Sequence, residues 1–193
     1  ETMAAMVEQV SAQVFMPLTI GGGITSVADM QRILRAGADK TAINSAAVAN
    51  PELIRAGAEK FGNQCIVVAI DAAWDAAAGQ YRVYTHGGQQ ATDLDAVAWA
   101  KQAVALGAGE LLVTSMDRDG TKAGFDTKLY QALGATVNVP IIASGGAGNL
   151  QDFVDVFSTT PVDGALAASV FHFGELTIAD VKATLRKQGV VVR

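Results

Sequence analysis

Short apolar runs rich in β-branched residues alternate along this chain with stretches whose apolar residues fall three and four positions apart, and Gly, Asp or Asn closes most of the runs. The runs cover residues 17–20, 40–44, 66–71, 110–115, 140–143 and 164–168, and each predicts a strand. Residues 26–36, 93–106 and 150–157 carry helical spacing between them. Near-continuous apolar strands are buried on both faces, so the pattern predicts a parallel sheet with crossover helices. One segment breaks the rhythm: residues 80–85 alternate polar and apolar after Gly79 and lead into His86-Gly-Gly88, which predicts an extra hairpin after the third strand. Met3, Met6, Val7, Val10 and Val14 are helically spaced, yet nothing caps Glu1 and no strand feeds it. The reading is that the chain begins inside a βα unit. For a closed (β/α)8 barrel, two strands and most of two helices would then be absent on the N-terminal side.

The chain also repeats itself. Pro17-Leu-Thr-Ile-Gly-Gly-Gly23 with Asp29 recurs about 123 residues later as Pro140-Ile-Ile-Ala-Ser-Gly-Gly146 with Asp152. Each copy continues into a helical stretch, then Asp39 or Asp163 opens a run ending in Asn44-Ser45 or Ala168-Ser169. Glycines after a strand let backbone N–H groups approach an anion with no Cβ in the way, and a following helix N-terminus adds positive potential. Two such turns predict a substrate with a phosphate at each end.

The 193 residues suit one domain, 1–193, and half of them are hydrophobic, enough for a substantial core. A net charge of −5 argues against a nucleic-acid surface, so phosphate must be held by backbone amides and hydroxyls. No apolar stretch reaches about 18 residues and no signal-like segment is read at the start, so a cytoplasmic location away from membranes is expected. Cys65, the one cysteine, reads as a small buried hydrophobe at the start of its run. His86 and His172 have no ligand companions at suitable spacing, so no metal is expected. Trp74 and Trp99 read as packing residues, with Trp74 close enough to Asp71 to lie over a site mouth.

The resemblance that gathers these motifs is to the cyclase subunit of imidazole glycerol phosphate synthase, a barrel enzyme of histidine biosynthesis. Gly21-Gly-Gly-Ile24, Gly37-Ala-Asp-Lys40, Ile43-Asn-Ser45, Val67-Val-Ala-Ile-Asp71, Thr114-Ser-Met-Asp-Arg-Asp-Gly-Thr121, Ala143-Ser-Gly-Gly-Ala-Gly148 and Ala167-Ala-Ser-Val-Phe-His-Phe173 carry it, through essentially the whole chain. The resemblance implies a TIM (β/α)8 barrel of duplicated halves, with the visible strands as strands 3 to 8. It implies a lyase reaction in which ammonia and a ribulosyl formimino carboxamide ribotide with two phosphates give imidazole glycerol phosphate and an aminoimidazole carboxamide ribotide, without a cofactor.

That family uses two aspartates, at the ends of its first and fifth strands. Asp71 matches the second and is assigned the general acid/base role. The first would precede Glu1, so the chain alone is expected to be catalytically crippled. Read without the resemblance, Asp71 is better taken as a turn or helix-capping residue after a strand. Asp119 matches a substrate-facing position, although Asp117 and Asp119 in Asp-Arg-Asp-Gly120 also suit a tight turn. Thr114 would offer a hydroxyl to the same cavity or simply pack. Gly22, Gly23, Asn44 and Ser45 would hold one phosphate, and Gly120, Ser144, Gly145, Gly146, Ala168 and Ser169 the other.

Ammonia in that family comes from a glutaminase partner at the N-terminal face. Lys40 and Glu110 match a charged gate and Asp39 a position at the partner interface; a mutually paired charge layer at a barrel end fits the same residues. Two alternatives stay in view. The related bisphosphate ribotide isomerase of the same pathway shares the duplicated phosphate sites but needs no ammonia, and the 114–121 motif and 40–44 context favour the cyclase. A noncatalytic fragment binding phosphate or a partner, with exposed strand edges, is the other.

Overall fold

The computed structural model describes residues 3–193. In chain order the elements are α1 (Met3–Ser11), β1 (Thr19–Gly21), α2 (Val27–Arg35), β2 (Lys40–Ile43), α3 (Ser45–Ala49), α4 (Glu52–Phe61), β3 (Ile66–Asp75), β4 (Gln80–Thr85) and β5 (Gln90–Asp95). They continue with α5 (Ala96–Ala105), β6 (Glu110–Ser115), α6 (Thr127–Gly134), β7 (Ile141–Ser144), α7 (Leu150–Thr159), β8 (Gly164–Leu166), α8 (Ser169–His172) and α9 (Ile178–Lys187). The fold is α/β with parallel strands, as the alternation of runs and helical stretches predicts.

The backbone divides into two compact units. One runs through Ala69 and takes in Gln102–Leu111; the other is Ile70–Lys101 with Leu112–Arg193. In the first, β1 pairs parallel with β2 (Gly21 beside Ala42) and β2 with the start of β3 (Thr41 beside Ile66). Met30, Ile33, Ile43, Ile54 and Ile66 are buried there. Each such side chain contributes about 1.5–3 kcal/mol by leaving water. In the second unit β7 pairs parallel with β8, Ser144 beside Leu166, and Val83, Val113, Leu129, Leu133 and Ile141 fill the core.

The repeat read from the sequence is present in the strand register. Thr19 pairs with Lys40 and Gly21 with Ala42 in the first unit; their counterparts Ile142 with Gly164 and Ser144 with Leu166 pair identically in the second. The two helices that follow the glycine turns begin alike. Ser26 caps α2 through its side chain and the Asp29 amide, and Asn149 with Asp152 forms a capping box on α7.

Several expected boundaries move. Prolines 17 and 140 stand outside β1 and β7, since a proline has no N–H to give a ladder. The third strand runs to Asp75 instead of stopping at Asp71, because Asp71–Asp75 pairs antiparallel with Gln80–Tyr84. The expected hairpin is therefore real and borrows the end of β3. Residues 93–95, read as helical, close strand β5: Asp95 pairs with Arg82, and its carboxylate accepts from the Ala98 amide at 2.7 Å, starting α5 only at Ala96. Strand β8 ends at Leu166, short of the expected residue 168, because Ala168 already sits at the N-cap of α8. Cys65 is half-buried in a short 3-10 turn before β3, not a core residue, whereas Trp99 is buried.

Candidate active site and anion-binding turns

The second glycine turn gathers every residue assigned to it. Gly120, Ser144, Gly145, Gly146, Ala168 and Ser169 line one cavity of about 160 Å³, together with Asp119, Lys122, Ala147, Leu166 and Ala167. Gly145 and Gly146 have φ of 94° and 105°, a region that glycine enters without strain. Space forbids a side chain as well: a Cβ on Gly145 would stand 2.7 Å from the Ser115 carbonyl oxygen, and one on Gly146 would strike the Gly124 carbonyl.

The first turn is more open. Gly22 and Gly23, with φ of 95° and 69°, are exposed and line a wider cavity of about 460 Å³ with Ile24, Asp29, Arg32 and Ile33. Asn44 and Ser45 do not line it. They follow β2, whose Ala42 pairs with Gly21, so they stand at the end of the neighbouring strand.

Asp71 is half-buried on β3, opposite Tyr84 and between the buried Ile70 and Ala72. Thr114 stands likewise between the buried Val113 and Ser115 on β6. Neither lines the cavity that contains Asp119. The turn after β6 is tied to the end of β3: the Met116 amide donates to the Ala72 carbonyl at 2.8 Å, and the Asp117 carboxylate accepts from the Trp74 amide at 2.7 Å. Asp117 thus acts as a turn residue, and Asp119 presents itself to the cavity. Trp74 is half-exposed and meets Tyr81 edge to face, ring centroids 5.1 Å apart.

At the strand starts, the Asp39 carboxylate accepts from the Leu18 amide at 2.7 Å while the Asp39 amide donates to the Leu18 carbonyl at 2.9 Å. Asp163 and Ile141 repeat this clamp at 3.1 and 2.9 Å. The repeated aspartate therefore sets the register of each strand pair. Lys40 donates to Glu110 at 2.5 Å, a mutually paired layer of charge.

Sequence reasoning missed the buried polar network behind the second turn. Tyr130, on α6, donates its hydroxyl proton to the Ser144 carbonyl (2.8 Å) or the Val113 carbonyl (3.1 Å) and accepts from the Ser144 amide (3.1 Å). Asp126 caps α6 by accepting from the Leu129 amide, and it also accepts from the Tyr81 and Ser115 hydroxyls, each at 2.9 Å. Burial first, and then the Asp126 carboxylate, raise the Tyr81 phenol well above its ordinary pKa; burial does the same to Tyr130. Both stay protonated and able to donate. Only the capping aspartate had a visible signal, an Asp immediately before a helical stretch.

Parallel strands followed by positive-φ glycine turns define an α/β protein. Comparison with known proteins narrows this: residues 1–177 match the family described as Histidine biosynthesis protein, and the chain belongs to that family. Among curated relatives, the imidazole glycerol phosphate synthase subunit HisF of Lacticaseibacillus paracasei is 63% identical over 192 residues, covering 100% of this chain and 76% of that protein. The subunit of the same name from Limosilactobacillus fermentum is 65% identical over 188 residues (97% and 72%), and that of Geobacillus thermodenitrificans 58% over 193 (100% and 77%). These coverages do not establish the expected lack of two N-terminal βα units. Among the described residues no helix is long and apolar enough to cross a membrane.

Proposed function

We infer that this chain acts as the cyclase subunit of imidazole glycerol phosphate synthase: it joins ammonia to a bisphosphorylated ribulosyl formimino carboxamide ribotide and releases imidazole glycerol phosphate and an aminoimidazole carboxamide ribotide. The observation that carries the reading is the duplicated strand pair, register and all, each copy ending in a glycine turn, in a chain that matches proteins of that name along its length. The names of those relatives favour it over the isomerase of the same pathway.

In this reading residues 1–193 belong to one (β/α)8 barrel domain, of which they supply six strands, in the cytoplasm. Strands β1, β2, β3, β6, β7 and β8 are its third to eighth, with the β4–β5 hairpin an insertion. The turn at Gly22 and Gly23, with Asn44 and Ser45, takes one phosphate; the cavity lined by Gly120, Ser144, Gly145, Gly146, Ala168 and Ser169 takes the other. Positive-φ glycines bare their N–H groups, so an acidic chain binds anions through the backbone. Ammonia must add to a carbonyl carbon whose oxygen leaves as water, a C–N bond must break and a ring must close, each with a proton transfer. Asp71 serves as acid and base in those transfers, Asp119 and the Thr114 hydroxyl orient the substrate, and no metal or cofactor takes part. Lys40 and Glu110 form the gate through which ammonia enters from a glutaminase partner, with Asp39 at that face.

The test is ammonia-dependent loss of substrate absorbance by the full protein. Turnover that falls by orders of magnitude in Asp71→Asn supports the reading, and unchanged turnover in that variant overturns the assignment of Asp71.

A further inference from the structure

The cavity at the second glycine turn has one cationic side chain among its lining residues, Lys122, and that lysine is held in an unusual way. Its backbone has φ of 55°, a left-handed conformation that a long side chain seldom adopts. The loop enforces it. The Thr121 hydroxyl donates to the Arg118 carbonyl at 2.7 Å and accepts from the Ala123 amide at 3.2 Å, and the Arg118 guanidinium donates to the Ala123 carbonyl at 3.1 Å. Gly148 approaches so closely that a Cβ there would strike the Lys122 carbonyl. Strain kept in place by its surroundings is characteristic of binding loops. The ammonium meanwhile rests on both carboxylate oxygens of Glu175, at 2.6 and 2.7 Å, with the two side chains 43% and 40% exposed. An ion pair that wet is weak and easily exchanged.

We propose that Lys122 is the charge partner of the phosphate monoester bound at this turn, and that Glu175 holds its ammonium in reserve until the dianion displaces it. The proposal rests on the reading of the turn as a phosphate site. Backbone N–H groups and the Ser144 and Ser169 hydroxyls donate hydrogen bonds but bring no net charge, and the Asp119 carboxylate in the same lining repels an anion. A dianion outcompetes a single carboxylate for one ammonium. On binding, Lys122 turns from Glu175 into the cavity and offsets Asp119; no covalent bond changes.

Two substitutions break the same ion pair with opposite consequences. Lys122→Met removes the charge partner, whereas Glu175→Gln releases the lysine from its competitor. Inorganic phosphate titrated into the full protein, read from the Gly145 and Gly146 amide resonances, is expected to bind about tenfold more weakly in Lys122→Met, the weight of about 1.4 kcal/mol. In Glu175→Gln it is expected to bind more tightly, and Lys122→Arg should restore most of the loss. Equal effects, or effects in one direction, would mean a merely structural pair and overturn the proposal. If phosphate moves neither amide in the unsubstituted protein, the phosphate reading of the turn itself fails and Lys122 loses its role with it.

Discussion

Individual residues here are constrained by backbone conformation and by what surrounds them. Gly23 and Gly145 share a positive φ, but Gly23 has open space around it and Gly145 has the Ser115 carbonyl against it. Gly23→Ala is therefore expected to cost about 1 kcal/mol from strain alone and Gly145→Ala clearly more, by urea unfolding. Asp71 is half-buried on a strand edge shared with Tyr84, so Asp71→Asn should lower ammonia-dependent turnover about 10²- to 10⁴-fold while the melting temperature barely moves. Asp29 titrates at about 2 against an ordinary 3.8, because the Ser26 hydroxyl and then the Thr25 amide donate to its charged form. The folded state favours the carboxylate, so this stabilisation is complete above about pH 4 and disappears as the pH falls toward 2. Thermal melts of Asp29→Asn should show a flatter acid limb than those of the unsubstituted chain; identical limbs would refute the cap.

Elements are also positioned by polar side chains that reach the backbone of neighbouring strands. Tyr130 reaches from α6 to both the Val113 and Ser144 carbonyls and to the Ser144 amide, so one phenol serves three backbone groups at the entrance to the second turn. Tyr130→Phe removes these bonds in a buried place and should cost about 1–3 kcal/mol by chemical denaturation. The same variant should weaken phosphate binding at Gly145 and Gly146 while leaving Gly22 and Gly23 unaffected. Helix periodicity marked the apolar face of the 150–157 stretch correctly, and its Asn149 and Asp152 cap is readable as sequence. It failed at residues 93–95 because the neighbouring strand β4 offers Asp95 a ladder partner that no local pattern reveals.

For the whole molecule, the recurring motif is an assembly instruction used twice. Asp39 and Asp163 clamp Leu18 and Ile141 with the same pair of bonds, so Asp39→Asn should lower stability by about 1–2 kcal/mol. It should leave ammonia-fed turnover within about threefold. Loss confined to glutamine-fed turnover would support the proposed place of Asp39 at the partner face as well. The sequence by itself determined the alternation of strands and helices, the duplication, the two glycine turns, the family, and the carboxylates at the strand ends. These are legible because periodicity, turn chemistry and repetition are local properties. Only the tertiary structure decided that the second turn closes into one cavity with Asp119 and Lys122, while Asn44 and Ser45 follow the strand paired beside the first turn without lining its cavity. It alone extended β3 through its hairpin, paired Lys40 with Glu110, and joined Tyr81, Ser115 and Asp126 behind Ser144. Those relations depend on which distant residues come to share a strand ladder or a buried volume, and a linear pattern holds no record of that.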